Sequence, residues 1–129
     1  MMVARFRKSF SYALGGLCSV FRHEQNFRIQ VFCGCLVLFC AIFFQVSTVE
    51  FIFLCGASAF VLVLEIINTA IERSLDIIKP RLSEQVKIIK DIMAGAVLIG
   101  SIFALVVAIF IFWPYLLSKL SDLLIHGTI

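Results

Sequence analysis

An all-α integral membrane fold, with an amphipathic surface helix ahead of three transmembrane helices, is what the sequence predicts. Three observations carry that expectation. Hydrophobic residues make up 62% of the 129 positions and charged residues 15%, against an apolar share of about 45–50% in soluble domains. Mean hydropathy is +1.10. The apolar positions also fall into three runs long enough to cross a bilayer. The length fits one compact domain over residues 1–129, too short for a large soluble core or a wide barrel, so a sizeable site calls for several copies.

The surface helix is expected over about residues 3–22, where Phe6, Phe10, Leu14 and Leu17 recur at helical spacing among Arg5, Arg7 and Lys8. A basic amphipathic segment of this kind lies in the headgroup plane. It lacks the order of a signal peptide, a charged start followed by an apolar core and a small-residue cleavage site. The first span is expected over about residues 29–46, interrupted only by Gln30 and Gln45. The second runs from about 51 to 78, where Lys79-Pro80 stops it. The third, about 91–117, is free of charge from Ile92 to Ser118. Trp113, Pro114 and Tyr115 read as an interfacial belt at its far end.

Orientation follows from the basic residues. Arg5, Arg7, Lys8, Arg22 and Arg28 precede span one, and Arg73, Lys79, Arg81, Lys87 and Lys90 lie between spans two and three, whereas the link between spans one and two has none. The positive-inside rule then predicts the N-terminus and the second link in the cytoplasm, and residues 46–50 and the C-terminus outside, in a multi-pass membrane protein. The net charge of +3 reports topology and anionic headgroups; no nucleic-acid motif accompanies it.

The chemistry concentrates in span two. Glu65, Asn68, Glu72 and Asp76 fall within about 80° on a helix turning about 100° per residue, forming one polar stripe. Acids at membrane depth cost roughly 2.5–3.5 kcal/mol each and mark ion, metal or substrate sites. Near the cytoplasmic interface Glu24, Glu72 and Asp91 supply hard oxygen ligands and Lys90 and Arg5 are candidate phosphate ligands. Such a set suits Mg²⁺, which binds through one or two carboxylates and completes its shell with phosphates and water. Glu65, about two turns deeper than Glu72, is placed to meet a lipid hydroxyl arriving from the bilayer. Neither a Walker A loop nor the soluble-kinase motif set occurs.

The run Glu65-Ile-Ile-Asn-Thr-Ala-Ile-Glu72-Arg-Ser-Leu-Asp76, followed by Lys90-Asp91-Ile-Met-Ala-Gly-Ala-Val-Leu98, resembles the signature of the small prokaryotic integral-membrane lipid kinases, the family of diacylglycerol kinases and undecaprenol kinases. The resemblance extends to Glu24-Gln-Asn-Phe-Arg28, an E-x-x-F-R element ahead of span one, and to Tyr12 with Gly16-Leu17 on the surface helix. It implies a homotrimer with sites between neighbours, using MgATP to phosphorylate a lipid alcohol. The substrate expected is diacylglycerol, giving phosphatidic acid for phospholipid metabolism, with undecaprenol as the alternative; Ala94-Gly95-Ala96 is slightly closer to the undecaprenol kinases. The resemblance assigns Glu65 as catalytic base, Glu24 and Glu72 as metal ligands, and Asn68, Lys90 and Asp91, with Arg5 and Tyr12, to the nucleotide site. Beside Glu65, the candidate contacts to the lipid are Arg28, Ala94 and Trp113. Gln30 is a departure, since some relatives carry a second acid after the F-R element.

Plainer readings stand beside these. A lone intramembrane acid also fits helix packing or a proton relay, and a small oligomeric channel or proton-coupled transporter would explain buried acids without needing Lys90-Asp91. Arg7 reads as a topology or headgroup residue. Asp91 also fits a stabilising charge in the first turn of span three, a role worth about 0.3–1 kcal/mol. The five cysteines lack paired metal-ligand spacing and read as small packing residues, while Gly95, Ala96 and Gly100 permit close helix approach.

Overall fold

The runs of hydropathy become four α-helices: α1 (Met2–His23), α2 (Gln25–Phe43), α3 (Thr48–Ile78) and α4 (Glu84–His126). The structure, a computed structural model, describes residues 2–78 and 83–126. The Lys79-Pro80 stop and Arg81 lie outside the described residues. The last three helices are each long and apolar enough to cross a membrane. With 19 residues, α2 extends about 28 Å, close to the hydrocarbon thickness of about 30 Å. α3 and α4, of 31 and 43 residues, are longer than that core requires and project beyond it.

The boundaries have local causes. α2 ends at Phe43, short of Val46, because Gln45 turns into the left-handed region at φ 53°. The N–H of Val46 then reaches the carbonyl of Ala41 and that of Gln45 the carbonyl of Ile42, both at 3.1 Å. This is a Schellman closure with glutamine where glycine is usual. α3 starts on a capping box: Ser47 Oγ accepts from the Glu50 N–H at 3.3 Å, and Glu50 Oε2 accepts from the Ser47 N–H at 2.8 Å. α4 begins at Glu84, a full two turns before Asp91, with Ser83 Oγ accepting from the Val86 N–H at 3.3 Å. Asp91 is therefore interior to a continuous helix, and a role as a first-turn charge is excluded. Pro114 also lies inside α4; it removes one backbone bond to Phe110, a loss that a membrane helix tolerates where neighbouring groups compensate.

α3 is the central helix, packed against α2 and α4 along its length and touched by α1. Small residues let the helices close up. A Cβ on Gly100 would stand 2.5 Å from Leu64 Cδ1, and one on Gly34 3.7 Å from the Ser58 Cβ. Phe60 and Phe103 meet edge-on at 6.4 Å between α3 and α4. At the end of the bundle holding the α2–α3 turn, Tyr115 donates to Glu50 Oε2 at 2.7 Å, and Lys119 Nζ sits 3.8 Å from the Phe43 ring centroid. α1 contributes only Val20 to the buried core, and Phe6, Phe10, Leu14 and Leu17 on its apolar face are exposed, as a helix lying in a headgroup layer requires.

Candidate active site

α3 builds the site by carrying one stripe through two chemistries. Its buried residues are Leu54, Ala57, Val61, Glu65, Asn68 and Thr69, and all but Thr69 lie on an arc of about 80°. The apolar stripe that packs the bundle therefore runs directly into the polar one. The contacts that bury Val61 continue along the helix and bury Glu65, which is 3% exposed.

Such a carboxylate needs a partner, and α2 supplies it. Gln30 Nε2 donates to Glu65 Oε2 at 3.0 Å across the α2–α3 interface. A hydrogen bond to a charged group contributes about 1.5–3 kcal/mol, comparable to the roughly 2.5–3.5 kcal/mol cost of an acid at membrane depth. One turn on, Asn68 Nδ2 donates to Glu72 Oε1 at 3.2 Å. The Asn68 Oδ1 and Gln30 Oε1 atoms are buried without a hydrogen-bond partner. Both are carbonyl oxygens on the polar stripe or facing it, able to accept from a ligand or, for Asn68, to join a cation's oxygen shell.

Glu24 occupies the N-cap position of α2 but makes no cap bond with its side chain. Its Oε1 turns to Arg73 Nη2 at 3.0 Å, while Arg73 Nη1 donates to Ser19 Oγ at 3.0 Å. One guanidinium thus fastens the end of α1 and the α1–α2 junction to α3, one residue beyond Glu72. Arg28 is engaged in the same junction: its Nη1 donates to the carbonyls of Arg22 at 2.9 Å and Phe21 at 3.3 Å, satisfying the last carbonyls of α1. Lys90 Nζ meets Asp76 Oδ1 at 2.7 Å, joining α4 to the far end of the stripe.

The chain thus gathers Glu24, Gln30, Glu65, Asn68, Glu72, Arg73, Asp76 and Lys90 along one end of α3. Arg5 and Tyr12 are exposed on α1, with Lys8 Nζ 5.9 Å from the Tyr12 ring centroid, and Asp91 and Ala94 are exposed on α4. Trp113 stands at the opposite end of the bundle, 19 residues beyond Ala94 on the same helix, about 28 Å along the axis, and is not brought to Glu65. Two participants were not assigned by sequence reasoning: Arg73, counted only as a topology residue, and Gln30, noted only as a departure. The F-R element and the stripe were the signals beside them. Among the described residues no group of three or more His, Cys, Asp or Glu side chains converges on a metal position. Mg²⁺ does not demand one, since one or two carboxylates plus phosphate oxygens suffice. Glu72, the free Asn68 Oδ1 and Glu24 are hard oxygen donors that fit it.

The profile for the family described as prokaryotic diacylglycerol kinase matches residues 11–112. An undecaprenol kinase of Bacillus subtilis is 33% identical over 112 residues, covering 87% of this chain and 91% of that protein. A diacylglycerol kinase of Synechocystis is 37% identical over 111 residues, 85% of this chain and 63% of the relative's own length. One from Haemophilus influenzae is 32% identical over 68 residues, 53% of this chain and 58% of the relative.

Proposed function

Since the chain belongs to the prokaryotic diacylglycerol kinase family, we propose that it is an ATP-dependent lipid kinase that moves the γ-phosphoryl group to the primary hydroxyl of a membrane lipid alcohol. The acceptor is diacylglycerol or undecaprenol. The relatives carry both names, and the one covered over 91% of its length is an undecaprenol kinase. The observation that carries the reading is a buried carboxylate, Glu65, held by Gln30 where the apolar stripe of α3 turns polar. A lipid hydroxyl approaching from the bilayer and a nucleotide approaching from water meet at such a boundary.

In this reading Glu65 accepts the proton of the attacking hydroxyl through the carboxylate oxygen that Gln30 does not occupy. The alcohol oxygen bonds to the γ-phosphorus, the bond to the β-bridging oxygen breaks, and ADP leaves with the electron pair. Glu24 and Glu72, with Asn68 next to Glu72, would hold Mg²⁺. Bound there, the ion neutralises charge developing on the phosphates. To hold the ion Glu24 would have to release Arg73, which the Ser19 hydroxyl would still keep at this end of the site. Lys90 supplies positive charge to the same end. Arg5, Tyr12 and Asp91 project from the single chain, and a trimeric assembly that lays a neighbour's helices over this end completes the nucleotide site. The basic residues at this end support a cytoplasmic orientation for it.

The test is direct. The purified protein in mixed micelles containing both lipids is given ATP labelled in the γ-phosphate, and products are separated. Label in phosphatidic acid or undecaprenyl phosphate supports a lipid kinase and identifies the acceptor. No label in either, with ion flux through reconstituted vesicles, replaces it with a transporter.

A further inference from the structure

The side chain at position 30 is an amide whose two ends have different fates. Nε2 donates to Glu65 Oε2 at 3.0 Å, and Oε1 is buried without a partner. The amide orientation is fixed by chemistry: turned over, it would set its carbonyl oxygen against a carboxylate. Gln30 also lines an apolar cleft of about 270 Å³ between α2, α3 and α4, whose walls include Gly34, Ala57, Val61 and Ser101. The bond between Gln30 and Glu65 is therefore formed at the margin of a cleft that all three spanning helices share.

We infer that Gln30 is a positioning residue for the base: its amide holds one oxygen of Glu65 and thereby aims the other at the hydroxyl of the acceptor lipid. The inference rests on the assignment of Glu65 as the base. An acid at this position would act differently, because two carboxyl groups about 3 Å apart cannot both ionise and would instead share one proton. An amide has no proton of this kind to share, so it holds Glu65 without competing for the proton of the hydroxyl. The polar groups flanking Glu65 are Gln30 on α2, bonded to it, and Asn68 and Glu72 on the following turns of α3; on α4, Ser101 lines the shared cleft, and Lys90 is paired with Asp76, about three turns further along α3.

Three variants test this: Gln30→Met, Gln30→Glu, and Gln30→Met combined with Glu65→Gln, each assayed for kcat, for the KM of ATP and for the pH dependence of kcat. Gln30→Met should lower kcat about tenfold or more and leave the ATP KM within about twofold, the signature of a misplaced base. Gln30→Glu should move the acidic limb of the kcat profile upward by more than one pH unit. The shared proton must leave before Glu65 can accept, so activity is lost at a pH where the natural chain still works. In the Glu65→Gln background, Gln30→Met should cost nothing further, since a positioning residue acts only through the group it positions. A wild-type kcat and pH profile in both single variants overturns the inference, as does an equal further loss in the double variant. If Gln30→Met does not fold, the pH profile of Gln30→Glu decides alone. If Glu65→Gln itself retains wild-type turnover, the base assignment falls; if it is inactive while the Gln30 variants behave as wild type, only the positioning role falls.

Discussion

Arg73 on α3 and Glu24 at the α1–α2 junction face each other at 3.0 Å, and the same guanidinium holds Ser19. Both side chains are partly exposed, at 42% and 30%, so the ion pair itself contributes no more than about 1 kcal/mol. Its importance is positional. α1 buries only Val20, and a weakly packed helix is held in register by the few polar ties it has. The carboxylate that the family resemblance gives to the metal is thus kept in place by a cation of the chain's own, which Mg²⁺ would have to displace.

That competition gives opposite signs to two kinds of substitution. Glu24→Gln or Glu72→Gln should raise the Mg²⁺ concentration needed for half-maximal rate, because each removes an anionic oxygen from the ion. Arg73→Gln should lower it, because the cation that occupies Glu24 is gone. Mg²⁺ titrations of the three variants against the natural chain make the measurement. Unchanged midpoints for both glutamate variants would remove these residues from the metal site.

At Glu65 the expected loss is larger and confined to one parameter. Glu65→Gln preserves shape and burial but cannot accept a proton, so turnover should fall by roughly 10²–10⁴-fold, the usual worth of a general base. ATP affinity and assembly should be retained. Turnover close to the natural rate would reject Glu65 as the base, whatever its burial.

The turn after α2 offers a gain rather than a loss. Gln45 holds a left-handed backbone at φ 53°, which costs a residue with a Cβ about 1–2 kcal/mol and glycine much less. Gln45→Gly should therefore stabilise the fold by up to about 1 kcal/mol, the gain being reduced by glycine's greater freedom when unfolded. Unfolding followed by circular dichroism in mixed micelles measures it. A less stable variant would mean that the glutamine side chain makes up for its backbone.

The helices are legible in the sequence because hydropathy is summed along the chain, and the polar stripe of Glu65, Asn68 and Glu72 is legible because it depends on the period of a single helix. Partners are another matter. Gln30 and Glu65 are 35 positions apart, Arg73 and Glu24 49, and Tyr115 and Glu50 65. Pairing at such distances is set by the rotation and depth of one helix against another, and those follow from close contacts such as that of Gly100 with Leu64. Helix ends were displaced for the same kind of reason. The start of α4 is fixed by the Ser83 hydroxyl, not by where charge gives way to apolar residues, and the end of α2 by a backbone turn at Gln45 that hydropathy does not register.

The membrane orientation can be read from two serines. Ser83 caps α4 at the end that holds Lys90 and the polar stripe, and Ser47 caps α3 at the opposite end, beside the Tyr115–Glu50 contact. The basic residues gather at the first end, so the positive-inside rule predicts a cytoplasmic location for it. All five natural cysteines are unpaired and must be replaced before labelling. In that background Ser83→Cys should be protected from membrane-impermeant thiol reagents in intact cells and should react in inverted vesicles. Ser47→Cys should show the reverse. A reversed pattern would put Glu24, Glu72 and Lys90 on the side without cytoplasmic ATP, and the kinase reading would then fail together with the topology, because the phosphoryl donor could not reach the base.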